Sequence, residues 1–165
     1  MKWLSHISIG VCVSTVLSPS NILFSAVGSI APDVLETLMK FKHRQEGHYF
    51  AIWVIGIGLG FISENYWFSW FCVGGFLHVL GDAMTMAGVP VGWWSRHRIH
   101  LLKAPFKTGE KQEYVVVAMV IIVTLLSLKF GGSQIYVPFF YDWYKYYNEG
   151  IVDAFELKKN RLNFF

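Results

Sequence analysis

The chain has 165 residues, enough for a single domain, and 54% of them are hydrophobic. Only 15% are charged, against about a quarter in soluble domains, so the composition argues against an ordinary soluble protein and favours a membrane protein. The formal net charge of +3 is small, and the basic residues lie in clusters between apolar segments. This pattern indicates membrane sidedness, and we expect no nucleic-acid partner.

Two apolar runs open the chain. The first, residues 3–17, contains His6 and is broken by polar residues at 18–21; a cleaved signal peptide is an alternative interpretation of this run. The second, residues 22–35, is interrupted by Pro32 with Asp33 beside it. It is shorter than the roughly 20 helical residues that cross a hydrocarbon core. We therefore expect a re-entrant or broken helix that lines a cavity.

A charged loop and two further apolar segments follow. Residues 40–48 form the loop and carry His43 and His48, which converge only if the loop bends. Two solvated histidines are the plainer alternative. Residues 49–63 and 66–84 are predicted to cross the membrane and return. The first of these contains a Gly-x-x-x-Gly arrangement, which predicts close packing against a neighbouring helix.

The returning segment carries a histidine and a carboxylate near its end. His78 and Asp82 are four residues apart, so a helix places them on one face about one turn apart, a spacing that suits a single metal ion. Ionisable residues in an apolar span are costly unless they are paired, bound to metal or hydrated, so they indicate a functional site. A His–Asp hydrogen bond that holds two helices together is the structural alternative.

The last third of the chain contains a polar connection, one more span and an aromatic tail. Residues 85–113 carry five lysines and arginines, which could contact phosphate head groups or remain solvated beside an anionic leaflet. Residues 114–130 form the final span. The sequence thus predicts an all-α polytopic membrane protein with about four to five transmembrane or re-entrant helices. Residues 1–130 would be the membrane domain with the metal site, and residues 131–165 an interfacial tail.

The distribution of lysine and arginine tests whether the candidate ligands can meet. If the first two apolar runs form a hairpin, Lys2, the basic residues of 40–44 and those of 85–113 all lie on the cytoplasmic side, as the positive-inside rule requires. The same topology brings all the candidate residues to that side: His6, Asp33, His43, His48, His78, Asp82 and Glu113. If residues 22–35 do not turn back, His6 lies on the opposite side of the membrane.

Several of these residues form motifs that resemble the YdjM-like family of inner-membrane proteins, described as LexA-regulated metal-dependent hydrolases. The best match is Gly-x-x-x-His-x-x-x-Asp-x-x-Thr-x-x-Gly-Val, which residues 74–89 fill completely. His6, a Gly-x-x-x-Pro-Asp motif at 28–33, His43-Arg44 with His48, and a Gly-x-x-x-Glu motif at 109–113 complete the likeness. Leu35 replaces a second aspartate of that family. The order of ligands also shows a remote resemblance to zinc-dependent phospholipase C and P1 nuclease.

The resemblance implies a membrane-embedded hydrolase that acts on a phosphoester or lipid-linked substrate through a metal-activated water. Histidine and carboxylate ligands without cysteine favour zinc, with manganese or iron as alternatives. Glu113 is the predicted general base, and Arg44 or Arg98 is predicted to hold an anionic group of the substrate. We expect the protein in the inner membrane, in contact with lipid, with its metal site on the cytoplasmic side. The alternative is a non-catalytic scaffold, transport or regulatory protein on the same fold.

Overall fold

The structure is a computed structural model that describes residues 1–40, 46–102, 106–130, 147–150 and 153–154. These residues are mostly helical. Short 3-10 turns lie at Pro19–Asn21 and Glu46–His48, and two strands form a small sheet. The helices are α1 (Trp3–Leu17), α2 (Ile22–Gly28), α3 (Ala31–Met39), α4 (Phe50–Ile62), α5 (Tyr66–Ala83) and α6 (Lys111–Phe130), and the strands are β1 (Val89–Gly92) and β2 (Ser95–Ile99).

The first two apolar runs form a helical hairpin. The 3-10 turn at Pro19–Asn21 reverses the chain, and α1 packs against α2. The second run then breaks at residues 29 and 30, and α3 restarts with Pro32 in its first turn. A proline is tolerated there because the first helical N–H groups have no partner within the helix. The predicted broken helix is therefore confirmed, and the hairpin returns the chain towards the start of α1.

Small residues let α2 approach α5 closely. A Cβ atom added to Gly28 would collide with the backbone carbonyl of Phe71, and one added to Gly74 would collide with the carbonyl of Ser25. Such contacts between backbones provide dispersion energy that bulky side chains would prevent. This packing fixes α5 against the hairpin and thereby sets the position of His78, one turn beyond Gly74.

The predicted Gly-x-x-x-Gly packing surface is also confirmed. Gly56 and Gly60 of α4 face α5, where added Cβ atoms would meet the side chains of Cys72 and Ser69. Gly58 lies on another face of α4, and a Cβ atom there would meet nothing within 4 Å. The spacing of four residues, and not the number of glycines, therefore marks the surface between these helices.

The polar connection at 85–113 corrects the expectation of an all-α fold. Strands β1 and β2 pair antiparallel, with Val89 opposite Ile99 and Pro90 opposite Arg98. Val89 is buried and belongs to the same hydrophobic cluster as Val79 of α5. Burial of Val89 against the helices anchors the hairpin to the end of α5, next to the residues predicted to bind metal.

Two helical stretches are long and apolar enough to cross a membrane. They are Pro19–Met39, with a mean hydropathy of 1.4, and Lys111–Phe130, with a mean hydropathy of 2.1. Helices α1 and α4 are apolar but shorter. The described structure thus gives two candidate spans where the sequence predicted four to five. The predicted interfacial tail, 131–165, lies outside the described residues except for 147–150 and 153–154.

Candidate metal centre

Five of the predicted metal ligands converge at one end of the helices. His6 lies in α1, Asp33 in the first turn of α3, His48 in the second 3-10 turn, and His78 and Asp82 in α5. The three histidines and Asp82 are at most 2% exposed. Asp33 is 14% exposed and is the member of this set that reaches the surface. The convergence of His6 with the other four residues needed the hairpin of the first two apolar runs, and the structure has that hairpin.

The spacing of the donor atoms matches that expected around a small metal ion. The Nε2 atoms of His48 and His78 are 3.1 Å apart. Asp33 Oδ1 lies 3.4 Å and 3.7 Å from these two nitrogens, and Asp82 Oδ2 lies 3.5 Å and 3.8 Å from them. In a tetrahedral zinc site with bonds of about 2.0–2.1 Å, donor atoms are about 3.3–3.4 Å apart. Small shifts of these side chains would therefore complete such a site.

His6 contributes a further donor on the other side of Asp82. Its ring stacks on that of His78, with 3.6 Å between the centroids, and its Nε2 lies 3.3 Å from Asp82 Oδ1. The amino nitrogen of Met1 also contacts this oxygen. Neither ring nitrogen of His6 makes a hydrogen bond in the described part of the chain, although both are buried. Buried polar atoms without hydrogen bonds are rare, and Nε2 of His6 lies beside a candidate ligand, Asp82.

Hydrogen bonds behind the cluster orient its ligands. His78 Nδ1 donates to the carbonyl oxygen of Ser29, 2.7 Å away, and His48 Nδ1 donates to Glu36 Oε1, also 2.7 Å away. Because Nδ1 of each ring holds a proton, the lone pair of a neutral ring lies on Nε2 and faces the cluster. Outer partners of this kind are typical of histidines that bind metal.

Asp33 is oriented in the same way by a residue that the sequence analysis missed. The indole nitrogen of Trp3 donates to Asp33 Oδ2 at 2.7 Å, which leaves Oδ1 towards the histidines.

Glu36 was also missed, although it lies three residues after Asp33 and therefore on the same face of α3. Glu36 follows Leu35, the position where the resembling family has a carboxylate.

The charges of the cluster act most clearly on His48. Burial lowers the pKa of its imidazole, but hydrogen bonds with Asp33 and Asp82 and the charge of Glu36 outweigh burial and raise that pKa to about 9. Without metal, the ring therefore carries a proton at neutral pH. Metal binding would replace that proton, since histidine binds metal in its neutral form.

Two glycines allow the separate elements to reach each other. A Cβ atom on Gly47 would lie 2.6 Å from the carbonyl oxygen of Pro32, so glycine lets the 3-10 turn lie against α3. A Cβ atom on Gly81 would lie 3.3 Å from the ring of His6, so glycine also lets α1 lie close to α5. These contacts are the local reason why His48 and His6 approach the ligands on α5.

Glu113, another predicted site residue, makes its hydrogen bonds outside the cluster. The carboxylate of Glu113 accepts hydrogen bonds from the backbone N–H of Lys2, the hydroxyl of Ser5 and the backbone N–H of Gly109. It thus ties α6 to the start of α1, and its role as general base stays a prediction. His43 and Arg44 lie outside the described residues.

No family model matches the chain, and neither a curated protein nor a solved structure matches it. The likeness to the YdjM-like family, and the hydrolase activity that it implies, therefore stay predictions. The donor atoms of the cluster support metal binding independently of that likeness.

Proposed function

We propose that this protein is a membrane-embedded, metal-dependent hydrolase that acts on a phosphoester, carried by a lipid or a lipid-linked molecule. The observation that carries the proposal is the convergence of His6, Asp33, His48, His78 and Asp82 from separate elements, with inward-facing nitrogens held by outer hydrogen bonds. Zinc is the ion we favour, because it suits nitrogen and carboxylate donors without cysteine.

In this proposal His48, His78 and Asp82 hold the ion, and Asp33 has a separate task. A bound divalent ion would lower the pKa of a water molecule and polarise the phosphoryl oxygen under attack. Asp33 is the acidic member of the cluster that reaches the surface, and its Oδ1 faces both histidines. We assign to Asp33 Oδ1 the acceptance of a proton from the attacking water, the task that the sequence analysis gave to Glu113.

The proposal places the protein in the inner membrane with the cluster on the cytoplasmic side. Its supports are the two apolar helical stretches, together with Lys2 and the basic residues of 40–44 and 96–111, which the predicted topology assigns to the side of the cluster. Membrane lipid is then the natural source of substrate, which would approach from the inner leaflet.

One observation favours a non-catalytic alternative. Asp33 Oδ1 is as close to the two histidines as Asp82 Oδ2 is. If both carboxylates bind the ion, four protein ligands close the coordination sphere, which is the pattern of structural zinc sites. The ion would then join α3, α5 and the 3-10 turn in a scaffold, transport or regulatory protein.

Cobalt substitution and an Asp33→Asn variant separate the two functions. In a catalytic site, the visible spectrum of the Co²⁺ protein changes when azide or fluoride is added, because an anion takes the open position. Asp33→Asn then keeps the metal and loses hydrolysis of a panel of phosphomonoesters, phosphodiesters and phospholipids. The opposite result has three parts: anions leave the spectrum unchanged, Asp33→Asn lowers metal affinity, and the wild type hydrolyses no substrate of the panel. That result would establish the structural site instead.

A further inference from the structure

The turn of the β-hairpin consists of two tryptophans. Gly92 pairs with Ser95, so Trp93 and Trp94 form the connection between the strands. Two-residue turns favour small or polar residues such as glycine, asparagine and aspartate. Here the two indoles are 64% and 60% exposed and pack edge to face, with 4.6 Å between their centroids. Local turn chemistry does not require these rings, so their exposure indicates a surface that something else contacts.

Exposed apolar residues of α3 and α4 extend this surface. Trp93 lines a cavity of about 390 Å³ together with Leu35 and Met39 near the end of α3 and Ile52 near the start of α4. All four side chains are exposed. We call these four residues and Trp94 the tryptophan platform. Contiguous exposed apolar residues mark sites that contact a membrane, a ligand or another protein.

Three features favour a membrane as the partner of this platform. The helical stretch Pro19–Met39, long and apolar enough to cross a membrane, ends at a platform residue, and the exposed Lys40 follows it. Strand β2 begins directly after the two tryptophans and contains two arginines. Among the described residues that line the cavity, Glu46 alone is acidic. Tryptophans and basic residues are enriched where spans end, because the rings lie among the head groups and the cations meet anionic lipid.

We propose that the tryptophan platform inserts into the head-group region of the inner leaflet, and that its lipid partner is anionic. Trp93 and Trp94 lie at the boundary between head groups and acyl chains, with Lys40 beside the phosphates. The contact rests on the proposed membrane location of the protein and extends that proposal to the β-hairpin. Because Val89 of β1 is buried against α5, the platform holds the end of α5 that carries Asp82 beside the leaflet that supplies the proposed substrate.

Fluorine NMR of the full chain in nanodiscs tests the contact, because each indole can be observed separately. Tryptophan is replaced by fluorotryptophan during expression, and the variants Trp93→Phe and Trp94→Phe assign the two resonances. A nitroxide attached near the head group of a lipid and a gadolinium chelate in water then report which medium each indole touches. We expect the lipid nitroxide to broaden both resonances at least about threefold more than the chelate does, and to leave the resonance of the buried Trp53 sharp.

Two results would overturn the inference. Stronger broadening of both resonances by the gadolinium chelate would place the indoles in water. Weak broadening by both reagents would show that protein, such as a second copy of the chain, covers the two indoles.

A probe in α6 separates failure of this contact from failure of the proposed membrane location. Ile122 lies within the candidate span Lys111–Phe130 and is exposed, so Ile122→Trp adds a fluorine resonance there. If the lipid nitroxide broadens that resonance while the chelate broadens those of Trp93 and Trp94, the protein is in the membrane and the platform contact is wrong. If the chelate broadens all three resonances, the membrane location is wrong as well.

The charge of the lipid provides a second test. Replacement of phosphatidylcholine by phosphatidylglycerol should increase the lipid-induced broadening of both indole resonances by about twofold, because anionic head groups attract basic residues. Lys40→Gln should reduce this increase, whereas Lys129→Gln, which changes an exposed lysine at the end of α6, should not. An increase that is absent, or that both variants reduce equally, would contradict an anionic lipid partner.

Discussion

The carboxylates of Glu113, Asp33 and Asp82 all contact the first residues of α1, but their partners differ. Glu113 accepts hydrogen bonds from two backbone N–H groups and one hydroxyl. Asp33 and Asp82 instead face the Nε2 atoms of two histidines whose Nδ1 protons are directed away from the cluster. Glu113 thus meets hydrogen-bond donors alone, whereas Asp33 and Asp82 each meet a donor at one oxygen and the two histidine nitrogens at the other.

This difference separates an acid whose partners are all hydrogen-bond donors from two acids that share a cluster with histidines. Donors around Glu113 satisfy its oxygens, so removal of that carboxylate leaves unpaired donors and costs stability. In the cluster, the amino group of Met1 contacts Asp82 and the protonated ring of His48 lies near both carboxylates, and a divalent ion would replace the His48 proton. Predictions that remove one group at a time test whether the two regions are as distinct as their hydrogen bonds indicate.

The largest effect is expected from His78→Ala. His78 is fully buried and shares contacts with both carboxylates of the cluster. Loss of its Nε2 should lower zinc affinity by at least about 100-fold, because a first ligand is removed from a site of three or four. Competition with a chromophoric chelator measures this affinity. A variant that binds zinc as tightly as the wild type would show that the histidine only packs the helices.

Glu113→Ala should lower the stability of the protein without lowering its affinity for zinc. Three hydrogen bonds to a carboxylate are lost, so the free energy of unfolding should fall by about 2–4 kcal/mol. Zinc affinity should stay unchanged. Thermal unfolding in detergent, together with the chelator competition, measures both quantities. A loss of zinc affinity as large as that in His78→Ala would place Glu113 in the metal site. Glu113 would then not differ in role from Asp33 and Asp82.

The sequence predicted the clustered histidines and aspartates better than the groups that orient their side chains. His78 and Asp82 follow from their spacing on a helix, and His6 follows from a topology chosen by lysine and arginine alone. Ser29 could not be found, because it acts through a backbone carbonyl that any residue supplies. The β-hairpin was missed because its strands are short and one contains Pro90, which weakens a strand pattern. The motif that contains Glu113 gave no sign of the hydrogen bonds that its carboxylate accepts from Lys2, Ser5 and Gly109.

Glu36→Gln tests the outer support of the cluster. The amide keeps the size of the side chain and loses the charge that holds His48 Nδ1. Zinc affinity should fall by about 10- to 100-fold, the usual cost of an outer-partner mutation, while some binding remains. Glu110→Gln, at an exposed position near the start of α6, is the control and should bind zinc normally. Unchanged affinity in Glu36→Gln would mean that His48 needs no such partner.

Trp3→Phe should produce the smallest effect. The substitution keeps an aromatic ring at a position that is 54% exposed, and removes the N–H that donates to Asp33 Oδ2. Asp33 then loses one constraint, and zinc affinity or hydrolysis should fall by about three- to tenfold, in line with the loss of one hydrogen bond to a charged group. The unfolding temperature of the metal-free protein should not change. A fall in that temperature with normal zinc affinity would assign Trp3 to packing alone.

The most direct test of the metal centre is the metal content of the purified wild-type protein, measured by inductively coupled plasma mass spectrometry beside its thermal unfolding with and without added zinc. The proposed metal centre predicts about one zinc per chain and a higher unfolding temperature when zinc is present, because a ligand that binds only the folded state stabilises it. A metal-free protein that unfolds at the same temperature with and without zinc or manganese would contradict the account, and the cluster would then be a set of helix-packing contacts.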